Sequence, residues 1–472
     1  MSPAPAHRTG LAGITVFTLL LVAAQMPLGS TLIAVALPSM GTSLAIDPIL
    51  VTSVLVTSYL VVNLVSQGPG GKLGDLFGHQ RILWIGIALF TLSALVGLAA
   101  PGLPMLVLSR CLMAAAGGLV MPATMALFRL HIPAERRGRT FGLFGATMGT
   151  AAALGPVLGG ELVSRFGWRS IFFAPLPCIA LIVGVLRLHP LPARPVPPAD
   201  TKGGTAGAAS AANIKGFAGF DWAGLALMAT TLTLLVVAPR LDAALRAALW
   251  TGAGAAFIAF LLRERRAAQP VFDLALFRTP AFAAGTAVTS LQNFAMYGLM
   301  FQLPQFFEHL HGTPPREVGY TLFAMMIGMV ITSPVGGRLT DRIGARRTAL
   351  CGAACYLLGS LLMCRLAAFT APIDAALPLL LNGLGLGLCS APAQSSSMSA
   401  VPPARAGSAA GVSSTMRYLG GIAGVLVLDA VLGDKVSATM GRHVIMTWVF
   451  FGAVCLSTLA CARLPRSGTS AA

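Results

Sequence analysis

The chain has 472 residues, of which 56% are hydrophobic and 10% are charged, with a mean hydropathy of +0.80. Soluble domains carry about 25% charged residues, so this composition excludes a soluble enzyme of this length. The net charge of +17 comes from 32 Lys and Arg against 15 Asp and Glu. The basic residues stand between apolar stretches without interleaved aromatics, which fits the positive-inside rule rather than nucleic-acid binding. The composition predicts a polytopic membrane protein.

Apolar stretches of membrane-spanning length follow one another along the chain. Because about 20 apolar residues cross a bilayer as a helix, we predict fourteen spans. They lie near residues 13–38, 49–70, 82–100, 103–128, 140–163, 170–188, 220–239, 243–262, 280–306, 317–337, 347–368, 374–401, 408–432 and 442–463. No small-residue cleavage site follows the first stretch, so we interpret it as a retained helix and not a signal peptide.

Charge in the connecting segments predicts the orientation and the domain organisation. With a cytoplasmic N-terminus, the inner segments hold 22 of the 32 Lys and Arg, the outer segments 8 and the spans 2. This bias predicts an inner-membrane protein with both termini in the cytoplasm. The predicted parts are a tail (1–12), a six-helix bundle (13–188), a Pro- and Gly-rich cytoplasmic linker (189–219), two additional spans (220–262), a cytoplasmic connection (263–279), a second six-helix bundle (280–463) and a tail (464–472).

Sequence signals for enzymatic chemistry are missing. None of the eight cysteines forms a CxxC pair, and His309 and His311 are the one close pair of histidines. The sequence also contains no GxxxxGK[ST], GxSxG or HExxH motif. We therefore predict no metal, no cofactor and no enzymatic activity.

An internal repeat relates the two six-span blocks by a constant shift of 266 residues. The shift places one G-x-L-x-D-x-x-G motif on another, and it pairs Gly71, Leu73, Asp75 and Gly78 with Gly337, Leu339, Asp341 and Gly344. Parallel six-helix repeats predict a pseudo-two-fold axis along the membrane normal and a site between the halves. Such a body can open alternately on each side of the membrane, which indicates a transporter.

Several motifs resemble those of one family. GKLGDLFGHQR from Gly71 and GRLTDRIGARR from Gly337 resemble the loop signature G-x-L-x-D-R-x-G-R-K of the major facilitator superfamily. Residues 417–421, RYLGG, resemble its RxLGG run. The segment GPVLGG resembles the antiporter signature G-P-x-x-G-G and contains Gly155, Pro156, Gly159 and Gly160. The chain is similar to the fourteen-span drug:proton antiporter branch, of the EmrB/QacA type.

The resemblance implies an all-α polytopic fold with two six-helix bundles plus two extra helices, fourteen transmembrane helices in all. It also implies export of small amphipathic molecules or drugs by alternating access and proton antiport. The partners would be a small-molecule substrate, protons and the bilayer, with no nucleic acid and with a periplasmic adaptor left open. A proton-independent facilitator, an importer of a small metabolite and a non-transporting sensor on the same fold are the alternatives.

One departure from the family pattern concerns proton coupling. The span-1 pattern LDxTxxNxALP usually carries an aspartate that is implicated in coupling, and this chain has Gly29 there. Arg110 keeps the family's span-4 arginine, and a charge inside a span is a functional hypothesis by default. We expect the proton carrier elsewhere, with Glu308, Glu161 and Asp429 as the candidates beside Arg110. The alternative is that each carboxylate is a solvated charge at the outer rim.

The repeated loop motif is expected to act as a cytoplasmic gate. Asp75 and Asp341 would each cap the N-terminus of a neighbouring helix and pair with arginines such as Arg342 and Arg346, and this latch would break on inward opening. A static cap that sets topology is the alternative. The GPVLGG segment is expected to kink its helix and allow close packing, and the resemblance implies that it closes the leak path of exporters.

Polar residues in otherwise apolar spans are predicted to line a substrate cavity, with helix–helix hydrogen bonding as their alternative role. They are Gln25, Ser30, Thr31, Asn63, Gln67, Gln292, Asn293, Tyr297, Asn382, Gln394 and Arg417. Methionine and phenylalanine in the same spans predict a broad, adaptable pocket. Because few acids are placed to line it, the pocket favours neutral, zwitterionic or anionic substrates.

Overall fold

The computed structural model describes residues 13–191, 221–238, 243–267, 270–432 and 439–466. These residues form fifteen α-helices: α1 (Gly13–Leu44), α2 (Pro48–Phe77), α3 (His79–Leu98), α4 (Leu103–His131), α5 (Arg137–Phe166), α6 (Ser170–Phe173), α7 (Pro175–Leu188), α8 (Trp222–Val237), α9 (Ala243–Arg266), α10 (Pro280–His311), α11 (Pro315–Ile343), α12 (Ala345–Met363), α13 (Ala376–Ser399), α14 (Ala406–Leu432) and α15 (Met440–Ala462). Most of the predicted linker and nearly all of both tails lie outside the described residues.

Each of the fourteen predicted apolar stretches coincides with helix, and α6 and α7 together occupy the sixth. By length and composition alone, ten helical segments of the described chain could cross a membrane. The helices α2, α8, α10 and α12 are outside that group, and α8 has only 16 residues. In the part of the chain that the structure describes, the all-helical, multi-pass fold is therefore confirmed, and the count of fourteen crossings stays a prediction.

The sequence repeat is also a structural repeat. Adding 266 to the bounds of α1, α2 and α3 reproduces the bounds of α10, α11 and α12 to within one residue. Gly78, between α2 and α3, has a φ of 94°, and Gly344, between α11 and α12, has a φ of 90°. Glycine adopts such positive φ values without the steric penalty of a Cβ atom. The chain therefore reverses direction at the same point of both halves.

Two helical bundles face each other across the repeat interface. The first contains α1–α7 and the second α10–α15, and they meet where α5 packs on α11 and where α2 packs on α14. The pair α8 and α9 lies beside the first bundle, since α8 contacts α2. Asp221 joins the two helices. It accepts a hydrogen bond from the Gly224 N–H of α8 (3.0 Å), and it forms an ion pair with Arg263 of α9 (3.1 Å).

Large apolar side chains cover the outer surface of both bundles. Phe17, Leu181, Ile331 and Leu459 are each exposed on the outside of their helices. Soluble proteins rarely expose contiguous apolar surface of this kind, whereas a helix in a bilayer turns such side chains towards the lipid. The buried side chains, such as Phe128 against Phe141 and Phe144, pack edge to face inside the first bundle.

Candidate substrate cavity and latch

The end of the molecule where α2 and α11 end, which we call the latch end, is closed by contacts between the bundles. Asp75 of α2 accepts hydrogen bonds from the N–H groups of Gly407 (2.8 Å) and Ser408 (2.7 Å) and from Ser408 Oγ (2.5 Å). Both partners belong to the first turn of α14. His79 Nε2 lies 3.4 Å from the same carboxylate. One aspartate of the first bundle thus caps a helix of the second.

The repeat-related aspartate makes the reciprocal contact. Asp341 of α11 accepts hydrogen bonds from the N–H groups of Gly138 and Arg139, both at 2.8 Å, in the first turn of α5. The first N–H groups of a helix have no intrahelical partner and carry partial positive charge, so each carboxylate stabilises the closed end. Among the ion pairs of the described residues, neither Arg342 nor Arg346 pairs with Asp341.

The motif glycines let the backbones touch at this end. A Cβ atom on Gly71 would overlap the carbonyl oxygen of Gly407, and one on Gly337 would overlap that of Gly138. Each aspartate therefore reaches its helix N-terminus because the glycine one turn before it admits the partner backbone. The sequence marks these glycines only as part of the motif, and their packing role cannot be predicted without the position of the facing helix.

Arg129, an arginine outside the predicted site residues, also bonds across the interface. Arg129 Nε donates to the Met398 carbonyl (2.6 Å), and its Nη2 donates to the carbonyls of Ser399 (3.3 Å) and Val401 (3.2 Å). Arg137 Nη1 donates to Ser399 Oγ (3.3 Å). Cations are favourable at a helix C-terminus such as that of α13. The sequence signal for Arg129 was its place at the end of an apolar span, which is common to many loop arginines.

A cavity of about 930 Å³ lies between the bundles, towards the end opposite the latch. Its walls include residues 56–63 of α2, 141–156 of α5, 289–305 of α10, 319–333 of α11 and 417–429 of α14. Phe141 is within one turn of the α5 N–H groups that Asp341 caps. Six methionines, four phenylalanines and three tyrosines contribute to the lining. The volume and the apolar lining match a site for a drug-sized molecule.

Most of the predicted polar residues meet in this cavity. Its lining includes Ser30, Thr31, Asn63, Gln292, Asn293, Tyr297, Gln394 and Arg417. Gln25, Gln67 and Asn382 are placed elsewhere. Gln25 Nε2 contacts Cys178 Sγ at 3.0 Å, Gln67 Nε2 donates to Asn63 Oδ1 (2.9 Å), and Asn382 Oδ1 accepts from Ser360 Oγ (3.1 Å). The side chains of these three residues form hydrogen bonds within and between helices, which is the alternative role that we gave for the polar residues.

The GPVLGG segment packs α5 against α1. A Cβ atom on Gly155 would overlap Thr31 Oγ1, and one on Gly159 would lie 3.0 Å from the Leu32 carbonyl oxygen. Pro156 lies inside α5 and lines the cavity. Gly160 has open space where a Cβ would stand. The segment therefore supports a close helix crossing beside the cavity through two of its three glycines.

Gly29 and Arg110 face each other inside the first bundle. Both line a small cavity of about 20 Å³, together with Met113. Arg110 is 2% exposed, its guanidinium carbon lies 4.1 Å from the Tyr59 ring centroid, and its Nη1 donates to Met113 Sδ (3.3 Å). No ion pair to Arg110 occurs among the described residues. The position of the family's usual aspartate thus adjoins a buried arginine without a carboxylate partner.

Of the acidic candidates, Glu161 and Asp429 are exposed and Glu308 is half-buried, and they differ in their relation to the cavity. Glu161 is exposed on α5 and forms an ion pair with Arg165. Glu308 is half-buried near the end of α10 and is not part of the cavity lining. Asp429 lines the cavity near the end of α14, and it is the one carboxylate among the described residues that do so.

Comparisons with known proteins agree with this architecture. The sequence profile of the Major Facilitator Superfamily matches residues 19–425. Multidrug resistance protein Stp of Mycobacterium tuberculosis (strain CDC 1551 / Oshkosh) is 31% identical over 428 residues, which are 88% of this chain and 75% of that protein. The tetracenomycin C resistance and export protein of Streptomyces glaucescens is 28% identical over 445 residues, covering 91% and 78%.

A solved structure shows the same fold. The proton:xylose symporter XylE superposes with a TM-score of 0.66 at 15% identity, over 94% of each chain. Two helical bundles around a cavity that is closed at one end define a class, the alternating-access membrane transporters. This chain belongs to the major facilitator superfamily, and it is a transporter with multidrug resistance and export proteins among its relatives.

Proposed function

We propose that this transporter is a fourteen-span member of the drug:proton antiporter branch and exports small amphipathic molecules across the inner membrane. In this proposal the latch end faces the cytoplasm, since the segments at that end hold most of the basic residues. Both termini then lie in the cytoplasm. The predicted bundles at 13–188 and 280–463, the two extra spans at 220–262 and the intervening cytoplasmic segments keep their boundaries.

The observation that carries the proposal is the pair of reciprocal caps at one end of the cavity. With the latch end in the cytoplasm, Asp75 and Asp341 hold the cavity closed to the inside, so the structure is an outward-facing state. Inward opening separates both carboxylates from the helices that they cap. The cargo enters from the cytoplasm in that second state and leaves after the caps re-form, which is alternating access.

Proton coupling is proposed to differ from the family pattern. Gly29 supplies no carboxylate beside Arg110, so the carrier lies elsewhere. Asp429 is our first candidate because it lines the cavity, and Glu308 is the second. Glu161 is the third, since it is exposed, is paired with Arg165 and does not line the cavity. Protons and a small-molecule cargo are the partners that this function needs, and a periplasmic adaptor is not required by it.

Efflux from cells that overproduce the protein tests the proposal. Fluorescent compounds of each charge type are loaded, and their loss is followed with and without a protonophore. We expect export that the protonophore abolishes and that Asp429→Asn reduces at least about tenfold. Glu317→Gln is the matched control, because Glu317 is exposed at the start of α11 and does not line the cavity.

A proton-independent facilitator is the second candidate function, and Gly29 is the observation that favours it. Export that persists without a proton gradient and runs only downhill would identify the facilitator. Loss of activity in Glu308→Gln with retention in Asp429→Asn would move the carrier to α10. Accumulation of the compounds would instead reverse the proposed direction of transport.

A further inference from the structure

The part of the cavity wall around Arg417 carries a positive charge that no nearby carboxylate of the lining balances. Of the residues that line the cavity in the described chain, Arg417 is the one basic residue and Asp429 the one acidic residue. Both belong to α14 and are twelve positions apart, which corresponds to about 18 Å along a helix axis. The carboxylate is therefore too distant to neutralise the guanidinium, and the deeper part of the cavity carries a net positive charge.

The arginine side chain has a specific unpaired edge. The Nε and Nη2 atoms of Arg417 are buried and have no hydrogen-bond partner among the described residues. These two nitrogens carry the parallel N–H groups that bind both oxygens of a carboxylate side by side. An unpaired guanidinium within the membrane is expensive, and buried charges are normally paired. The protein thus retains a cation whose matching anion is not supplied by the described residues.

Aromatic groups share the cavity wall with Arg417, and a second cation lies behind one of them. Tyr297 and Tyr418 line the cavity beside Arg417, and the Tyr297 ring packs on α14 at Gly421, where a Cβ atom would lie 2.8 Å from Tyr297 Cδ2. Across the cavity, Tyr59 also lines the wall and has the Arg110 guanidinium behind its ring. The environment suits a flat aromatic body with an anionic group at one end.

We infer that the cargo is an aromatic carboxylate and that the guanidinium group of Arg417, which lines the cavity, binds its carboxylate. The inference rests on the proposed export function and narrows its substrate class. A cationic drug would meet Arg417 without a counter-charge in the inner cavity, whereas an organic anion supplies the partner that the arginine lacks. Tyr297 and Tyr418 then flank the aromatic rings, and the methionines of the lining adapt to their outline.

Matched dyes test this assignment. Rhodamine 110 carries a free carboxylate, and rhodamine 123 is its methyl ester, so the pair differs at the group that Arg417 would bind. Fluorescein has the same carboxylate on an anionic ring system. Binding to the purified full-length protein is measured by fluorescence anisotropy, and transport is measured in proteoliposomes. We expect rhodamine 110 and fluorescein to bind about tenfold tighter than rhodamine 123.

Variants separate the role of Arg417 from general effects of charge. In Arg417→Gln the carboxylate preference falls to about one, and the cationic rhodamine 123 binds at least as tightly as to the wild type, because the positive charge that disfavours it is gone. Arg417→Lys keeps part of the preference, because an ammonium attracts the anion without the paired N–H geometry. Arg365→Gln is the matched control: Arg365 is exposed outside the cavity and its loss leaves the preference unchanged. Rhodamine 123 binding that is retained in each variant demonstrates that the protein is folded.

The outcomes distinguish this inference from the proposed function. Transport of rhodamine 123 with no preference for rhodamine 110 or fluorescein would overturn the carboxylate assignment and leave the exporter intact. A preference that survives in Arg417→Gln would equally overturn it, since another group would then recognise the anion. If the wild-type protein neither binds nor moves any of the three dyes, both the inference and the export function fail.

Discussion

The two latches come from one repeated motif, yet they are built with unequal strength. Asp75 accepts three hydrogen bonds from the first turn of α14, its side chain is 9% exposed, and His79 lies beside it. Asp341 accepts two hydrogen bonds from the first turn of α5 and is exposed. The residue that the repeat pairs with His79 is Ala345. The same backbone device therefore has an additional polar shell in only one half.

The difference suggests that the two latch contacts contribute unequally to the stability of the closed state. Buried charged hydrogen bonds are stronger than exposed ones, because water competes less for the donors. We therefore expect the contact between α2 and α14 to set most of the stability of the closed latch end, and the contact between α11 and α5 to contribute less. Arg129, which has no basic counterpart at the repeat-related Ser395, adds to this asymmetry.

Asp75→Asn is expected to have the largest effect on the conformational equilibrium. The amide loses the negative charge at the α14 N-terminus and turns one acceptor into a donor facing N–H groups. We expect the closed latch end to lose about 3 kcal/mol, which is about a hundredfold in the equilibrium constant. Spin labels at Arg81 and Arg347, exposed and related by the repeat, report the opening as a longer distance between the bundles.

The measurement needs a background in which the eight native cysteines are replaced. Asp374→Asn is the matched control, because Asp374 accepts hydrogen bonds from the nearby Thr370 and Ala371 N–H groups and does not bridge the bundles. An unchanged label distance in Asp75→Asn would mean that the cap is static and serves topology alone.

Asp341→Asn is expected to shift the conformational equilibrium in the same direction as Asp75→Asn, by a smaller amount. Its carboxylate is exposed and accepts two hydrogen bonds, so its loss should weaken the closed end by about 1.5 kcal/mol, roughly tenfold. The same pair of labels measures the shift. Equal effects in Asp75→Asn and Asp341→Asn would show that burial and the extra polar shell do not matter, and the proposed division between the two latches would be wrong.

Much of this comparison was accessible from the sequence, because it follows from local pattern. Apolar stretches of the right length predicted the helices, and the constant shift of 266 predicted that Asp75 and Asp341 are equivalent. The polarity of Ser30, Asn63 or Gln292 within apolar spans indicated a shared cavity, and the structure places them in its lining. These signals depend on composition and spacing alone.

Other features depend on which surfaces meet, and no pattern within one helix encodes that. Gln25 and Asn382 resemble cavity residues in sequence, but their side chains bond to neighbouring helices of their own bundles. Arg129 and the packing of Gly71 on Gly407 could not be predicted, because each needs the position of a helix from the other bundle. The expected ion pairs of the motif aspartates with Arg342 and Arg346 also depend on how the bundles meet, and they do not occur among the ion pairs of the described residues.

Ser408→Ala is the smallest and most specific change, since it removes one of the interactions that distinguish the two latches. Ser408 Oγ donates to Asp75 at 2.5 Å, and the residue in the matching position against Asp341 is Arg139, which contributes its backbone N–H. Loss of the hydroxyl leaves both backbone hydrogen bonds to Asp75 in place. We expect the closed end to weaken by about 1 kcal/mol, about fivefold, in the same label-distance measurement.

Combined with Asp75→Asn, the change should add little, because its partner is already altered. Full additivity would show that Ser408 acts through another contact and that the stronger latch owes nothing to its hydroxyl.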